Sequence, residues 1–156
     1  MKSNHSVKSI VYATLICCII TTLMCGQSIA TECRVTSVVD GDTVKCDKLR
    51  IRLTDIDAPE KKQKYGADAT RFLANLVNGK TIRYDPNKKD IYGRVLARVY
   101  VNDTDVSLAM VEHGYAWAYM TKDKTIVNVM NEARTNRAGL WRDNKPKAPW
   151  LYRKGK

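Results

Sequence analysis

Histidine is scarce in this chain. Only two of 156 residues are His, and His5 lies in the first thirty, which leaves His113. One histidine cannot make a pair, so ribonuclease chemistry that uses two histidines as acid and base is excluded. A zinc centre with several His ligands is excluded on the same ground. Acidic charge is also in short supply, with 16 Asp and Glu against 27 Lys and Arg and a net charge of +11. There is no internal repeat and no low-complexity linker. The length is that of one domain. A hydrophobic share of 44% and a charged share of 28% are ordinary for a globular protein, so neither disorder nor a multi-span membrane protein is indicated.

Long apolar runs are missing too, with one exception. Lys2 and Lys8 form a short positive region, and from Ser9 to Thr31 there is no charge. Ser28-Ile29-Ala30 then supplies small residues. This is the layout of a secretory signal peptide with cleavage after Ala30. The alternative is an uncleaved anchor, because the uncharged stretch is just long enough to span a bilayer. The expected division is therefore a signal peptide at 1–30 and one domain at 31–156. The protein is expected to be exported, ending in a periplasm, in the medium or at a surface.

Removing the signal changes the remaining inventory. Cys17, Cys18 and Cys25 go with it, and Cys33 and Cys46 are left as an even pair in an exported protein. They flank a predicted hairpin turn. A disulfide stapling its two strands and two reduced, half-buried cysteines both fit, since a hairpin need not place these side chains opposite each other. Losing Lys2 and Lys8 from +11 leaves a net charge of +9. So basic a domain attracts polyanions, whether nucleic acid, anionic lipid or a cell-wall polymer.

The β-branched run Cys33–Val39 predicts a strand, Asp40-Gly41 a hairpin turn, and Thr43–Cys46 the returning strand. After Asp47-Lys48, Leu49–Leu53 alternates apolar and basic as a third strand, giving a meander. A charged loop, Glu60–Tyr65, precedes a helix whose apolar face is Ala69, Phe72, Leu73, Leu76 and Val77, ended by Asn78-Gly79. Thr81–Tyr84 and Val95–Val101 predict two more strands. Asp105 caps a short helix ending at Gly114, and a third helix is expected from about Thr125 to Arg137, closed by Gly139. From about Arg142 the chain is a basic tail with Pro146 and Pro149, expected to wrap the surface. Five strands with about three helices suit an α+β fold built on a small oligonucleotide-binding-type β-barrel.

Three segments carry candidate chemistry: Val38–Val44, Ile51–Glu60 and Asp90–Arg94. Asp42 follows the first turn and Asp57 is expected at the end of the third strand, so a meander can bring them to one rim. Paired carboxylates there repel unless a cation joins them. Oxygen ligands without His or Cys favour Ca²⁺ or Mg²⁺. Arg52 offers a planar fork for phosphate oxygens, and Glu60 can take a proton from an attacking water. Taken singly, each segment is also an ordinary turn, strand exit or helix start.

Taken together, in this order and spacing, the segments resemble the thermonuclease (micrococcal or staphylococcal nuclease-like) family. The similarity runs from about Cys33 to Trp141 and includes Tyr65-Gly66, Gly114–Trp117 and Ala138–Trp141. The resemblance implies a calcium-dependent endonuclease acting on DNA and RNA at single-stranded or frayed regions, leaving 3′-phosphates. By position, Asp42 and Asp57 match the carboxylates for one Ca²⁺, and Ala58 matches a ligand through its backbone carbonyl. Glu60 matches the general base, and Arg52 and Arg94 the arginines on the scissile phosphate. Asp40 matches an acidic residue standing behind the metal, and Tyr92 a tyrosine beside the nucleotide. Two departures concern substrate. Ile91 stands where the staphylococcal enzyme has a phosphate-touching lysine, and the basic loop Lys61–Lys64 is shorter. A monomer without stable membrane association is the expectation. The rival is a non-catalytic nucleic-acid-binding module on the same barrel, which would keep the basic face and could lose these carboxylates and arginines.

Overall fold

A computed structural model describes residues 31–155. The expected signal peptide at residues 1–30 lies outside the described residues. The run expected to form one strand from Cys33 to Val39 is instead two, β1 (Thr31–Arg34) and β2 (Ser37–Asp40). Buried Val35 separates them: its N–H donates to the Lys80 carbonyl at 2.9 Å and its carbonyl accepts from Gly79 at 3.0 Å. β2 pairs antiparallel with β3 (Thr43–Cys46), and β3 with β4 (Leu49–Leu53), which is the expected meander. A two-residue β5 (Ile56–Asp57) follows.

β6 (Thr81–Lys89) runs five residues past its expected end at Tyr84, with a register shift between Pro86 and Lys88. It lies between β1 and β7 (Val95–Val101), and β7 in turn runs parallel to β4. The strand order is β1-β6-β7-β4-β3-β2. Its two ends are therefore halves of one stretch, residues 31–40, and the mixed sheet curls back on itself in the oligonucleotide-binding manner. A disulfide joins Cys33 of β1 to Cys46 of β3, with Cα atoms 6.1 Å apart. It spans the place where β1 hands over to β2, not two strands of one hairpin. Two further short strands, β8 (Thr104–Asp105) and β9 (Trp117–Ala118), bring the count above the five expected.

Along β7, Val95, Ala97, Val99 and Val101 face inward and are buried, the period-two pattern of a strand on a core. α1 (Gly66–Val77) lays Ala69, Leu73 and Val77 on the barrel, with Phe72 and Leu76 half-buried beside them. Full burial of a side chain the size of Leu73 or Val77 contributes about 1.5–3 kcal/mol. The Asp105 carboxylate caps α2 (Val106–Glu112) by accepting from Leu108 N–H at 3.1 Å. Asp123 caps α3 (Lys124–Thr135) through Thr125 N–H at 2.9 Å. Arg98 of β7 reaches both caps, at 2.6 Å to Asp105 and 3.1 Å to Asp123, so one barrel arginine ties two helix starts together.

The C-terminal stretch, expected only as a basic tail wrapping the surface, is helical in part. It forms a 3₁₀ turn (Gly139–Arg142) and α4 (Pro149–Lys154), with Pro149 at the helix start. A second apolar cluster holds it, in which Trp117 meets Trp141 edge-on at 4.3 Å and Trp150 at 5.5 Å. Tyr119 stacks on Trp150 at 5.0 Å.

Gly114 and Gly139 cross at this junction, with φ of +69° and +50°. A Cβ on Gly139 would stand 2.3 Å from the Gly114 carbonyl oxygen, against backbone that has no freedom to move aside. Replacing Gly139 with Ala is expected to lower stability by at least about 2 kcal/mol in urea unfolding. A loss below about 0.5 kcal/mol, the range of an unconstrained surface change, would show that the crossing is not tight.

Candidate active site

Asp42 is placed by the turn that joins β2 to β3. It is buried, and its backbone N–H donates to the Asp40 carboxylate at 3.2 Å. Its own carboxylate accepts from the Thr43 hydroxyl at 2.9 Å and from Ala58 N–H at 3.3 Å. The turn fits because Gly41 is small: a Cβ there would lie 2.7 Å from that of Ala58 and 2.9 Å from that of Ala69. Burial pushes the Asp42 carboxyl up from 3.8 to about 6. Arg52 opposes that rise, the Asp40 charge adds to it, and the two hydrogen bonds oppose it.

Asp57 ends β5, which pairs with β9, and is 1% exposed. Arg52 brings it together with Asp42. Its Nη2 lies 3.0 Å from Asp42 Oδ2 and 2.9 Å from Asp57 Oδ1. Its Nη1 donates to the Leu53 and Ile56 carbonyls at 3.0 and 3.1 Å. The guanidinium is thus fixed on both sides, and the two expected ion-binding carboxylates converge on one nitrogen.

Glu60 sits on the loop before α1. Buried Gln63 shapes this loop: its side-chain oxygen accepts from Glu60 N–H at 3.1 Å, and its own N–H donates to the Glu60 carbonyl at 2.8 Å. Gly66 lets α1 begin against it, since a Cβ there would stand 1.9 Å from the Glu60 carbonyl oxygen. On the opposite wall, Asp90 accepts from the N–H groups of Tyr92 and Arg94 and from Arg94 Nε at 2.7 Å. Arg94 Nη1 also reaches the Thr43 hydroxyl at 3.4 Å. Tyr92 and Ile91 project into solvent at the tip of this turn, 70% and 91% exposed.

Most of the charged residues named here line one cleft of about 390 Å³. Asp40, Asp42, Asp57, Ala58, Glu60, Arg52, Arg94 and Tyr92, all singled out from the sequence, are brought together in it. Sequence reasoning missed Arg153, from α4. Its guanidinium forks onto Asp57 at 2.8 and 3.2 Å and reaches Glu60 Oε1 at 2.9 Å. The signal that could have found it is Pro149 at a helix start, followed by Trp150 and Tyr152 as apolar anchors. His113 is elsewhere, packed on Phe72 at 4.8 Å.

The donor set is all hard oxygen: two buried carboxylates, a third beside them, and no His or Cys. That chemistry fits Ca²⁺ or Mg²⁺, and the raised Asp42 carboxyl marks a buried negative charge incompletely answered by Arg52. As the side chains stand, no group of three or more His, Cys, Asp or Glu among the described residues is gathered tightly enough to hold an ion. Arg52 and Arg153 lie between the carboxylates instead.

A curled barrel whose cleft pairs carboxylates with arginines is compatible with phosphodiester hydrolysis, and similarity to known proteins gives the class. The sequence model of the family described as staphylococcal nuclease homologue matches residues 50–143, and the chain belongs to that family. It is 43% identical over 127 residues to an uncharacterized endonuclease of Escherichia coli, covering 77% of this chain and 83% of that one. It is 38% identical over 129 residues to an uncharacterized endonuclease of Haemophilus influenzae, covering 78% and 72%. A staphylococcal-like nuclease of Arabidopsis thaliana is 39% identical over 117 residues, which is 74% of this chain and 36% of the plant protein. The chain is a nuclease.

A pH dependence follows from Asp42. Its carboxyl titrates near 3.8 when unfolded and near 6 when folded, so the folded protein holds the extra proton between those values. That stability contribution is complete below about pH 4 and is lost as pH rises through about 6. Asp42→Asn is neutral throughout. In EDTA it should be more stable than the parent by about 1–3 kcal/mol at pH 8 and nearly equal at pH 4, in urea unfolding. A variant less stable at pH 8 would contradict burial as the cause.

Proposed function

We propose that the chain is an exported, calcium-dependent endonuclease that hydrolyses phosphodiester bonds of DNA and RNA and leaves 3′-phosphate ends. The observation that carries this reading is the convergence of Asp42 and Asp57 on Arg52 in a cleft shared with Glu60 and Arg94. Asp42, Asp57 and the Ala58 carbonyl would hold one Ca²⁺. Bound there, the ion supplies Lewis-acid polarisation of a phosphate oxygen and positive charge. Asp40 orients the Asp42 turn from behind.

Glu60 takes a proton from the water whose oxygen attacks phosphorus. The bond to the 5′ oxygen breaks opposite the attack, and that oxygen leaves and takes a proton from solvent, to which Glu60 returns the one it accepted. Arg52 and Arg94 hold the non-bridging oxygens and neutralise the charge that builds on them. Arg52 is fixed by backbone carbonyls and Arg94 by Asp90, so neither needs to be ordered as the reaction proceeds. Tyr92, exposed at the lip, lies beside the nucleotide. The open cleft suits single-stranded or frayed regions. Residues 1–30 direct export and are removed after Ala30, leaving a monomeric domain without stable membrane association. It acts in a periplasm, in the medium or at a surface.

Single-stranded DNA incubated with Ca²⁺ should be cleaved, and EDTA in excess should abolish cleavage. Glu60→Gln should lower turnover about 10²–10⁴-fold while nucleic acid still binds. Turnover near that of the parent would rule Glu60 out as the base.

A further inference from the structure

The basic tail was the part of the sequence to which function assigned nothing, yet it enters the cleft. Arg153 Nη2 lies 2.8 Å from Asp57 Oδ2, and its Nη1 lies 2.9 Å from Glu60 Oε1. We propose that Arg153 is the resident counter-ion of Asp57 and Glu60, that it competes with the divalent cation for the Asp57 carboxylate, and that it thereby sets the cation affinity of the site. The proposal rests on the reading of Asp42 and Asp57 as the cation site.

The physical reason is burial. Asp57 is 1% exposed, and a buried carboxylate needs a positive partner. Arg52 answers only part of that need, because its Nη2 is shared with Asp42 and its Nη1 is taken by two carbonyls. Arg153 answers the rest. It does so with the lone pairs that a cation on Asp57 would use.

Of the two arginines on Asp57, Arg153 is the one free to yield. The Arg52 side chain is 16% exposed and bound to backbone, whereas that of Arg153 is 41% exposed. The backbone beneath Arg153 is anchored separately. Gln63 Nε2 donates to the Lys147 carbonyl at 2.6 Å, the Tyr152 hydroxyl donates to the Lys62 carbonyl at 3.2 Å, and Trp150 is packed among aromatic rings. The guanidinium can therefore swing toward solvent while α4 stays in place.

Charge counting points the same way. Asp40, Asp42, Asp57 and Glu60 in the cleft face Arg50, Arg52, Arg94 and Arg153, four against four. Without Arg153 the cleft carries one net negative charge, which favours a cation.

The test is calorimetric titration of Ca²⁺ into the parent protein, Arg153→Ala and Arg153→Lys, with no nucleic acid present. Arg153→Ala should bind Ca²⁺ about tenfold more tightly, the order of a lost charge-assisted contact discounted for exposure. Arg153→Lys keeps the charge without the fork and should fall between the two. A purely structural role would leave the affinity unchanged or weaken it. Equal or weaker binding by Arg153→Ala overturns the proposal and leaves the cation site standing. Absence of binding in all three proteins overturns the cation-site reading and the proposal with it. If the Ala variant does not fold, the Lys variant decides: tighter binding than the parent supports the proposal, and unchanged or weaker binding overturns it.

Discussion

Arg52 Nη2 stands within 3.0 Å of one buried carboxylate and 2.9 Å of another. Two ionised carboxylates at such depth repel each other and are poorly solvated, so a protein holds them together only with positive charge between them. The remainder of the site follows from that need. Arg52 is locked by the carbonyls of Leu53 and Ile56, and Arg153 is drawn in from the far end of the chain. The carboxyl of Asp42 still rises to about 6, so the negative charge is not fully met by protein alone. A hard cation, as proposed above, would complement that charge and make the cleft more attractive to a phosphodiester.

The barrel exists to bring these groups to one rim. Residues 31–40 pair with β6 at one half and β3 at the other, so the sheet curls and its turns gather at the cleft. Small residues then remove obstacles. Gly41 lets the Asp42 turn lie against Ala58 and Ala69, and Gly66 lets α1 start against the Glu60 carbonyl. Gln63 links the Glu60 loop to the carbonyl of Lys147 and so couples the expected base to the C-terminal arm. These contacts act through position, with no charge of their own.

What the sequence made legible was mostly local. The meander β2–β3–β4, the apolar face of α1 and the Asp105 cap all rest on patterns a few residues long. The gathering of Asp42, Arg52, Asp57, Glu60 and Arg94 was legible through the resemblance of their joint order and spacing to a known family, since each segment alone reads as an ordinary turn or strand exit. The missed features are non-local. Val35 breaks the first strand because it bonds to Gly79 and Lys80, far along the chain. The Cys33–Cys46 disulfide, one of two readings the sequence left open, is formed, but it spans that break and not one hairpin. Arg153 meets Asp57 across a separation of 96 residues; Pro149, Trp150 and Tyr152 mark a short anchored helix, but nothing local in the sequence says which carboxylate it faces.

The central claim is that Asp42 and Asp57 hold one cation while Arg52 and Arg94 hold the phosphate beside it. A crystal structure of the protein with Ca²⁺ and a non-hydrolysable oligonucleotide tests this directly. The account predicts a single ion touching the carboxylates of Asp42 and Asp57, with a non-bridging phosphate oxygen on it and both arginines on the same phosphate. An ion bound elsewhere, or a phosphate held away from Arg52 and Arg94, would contradict it.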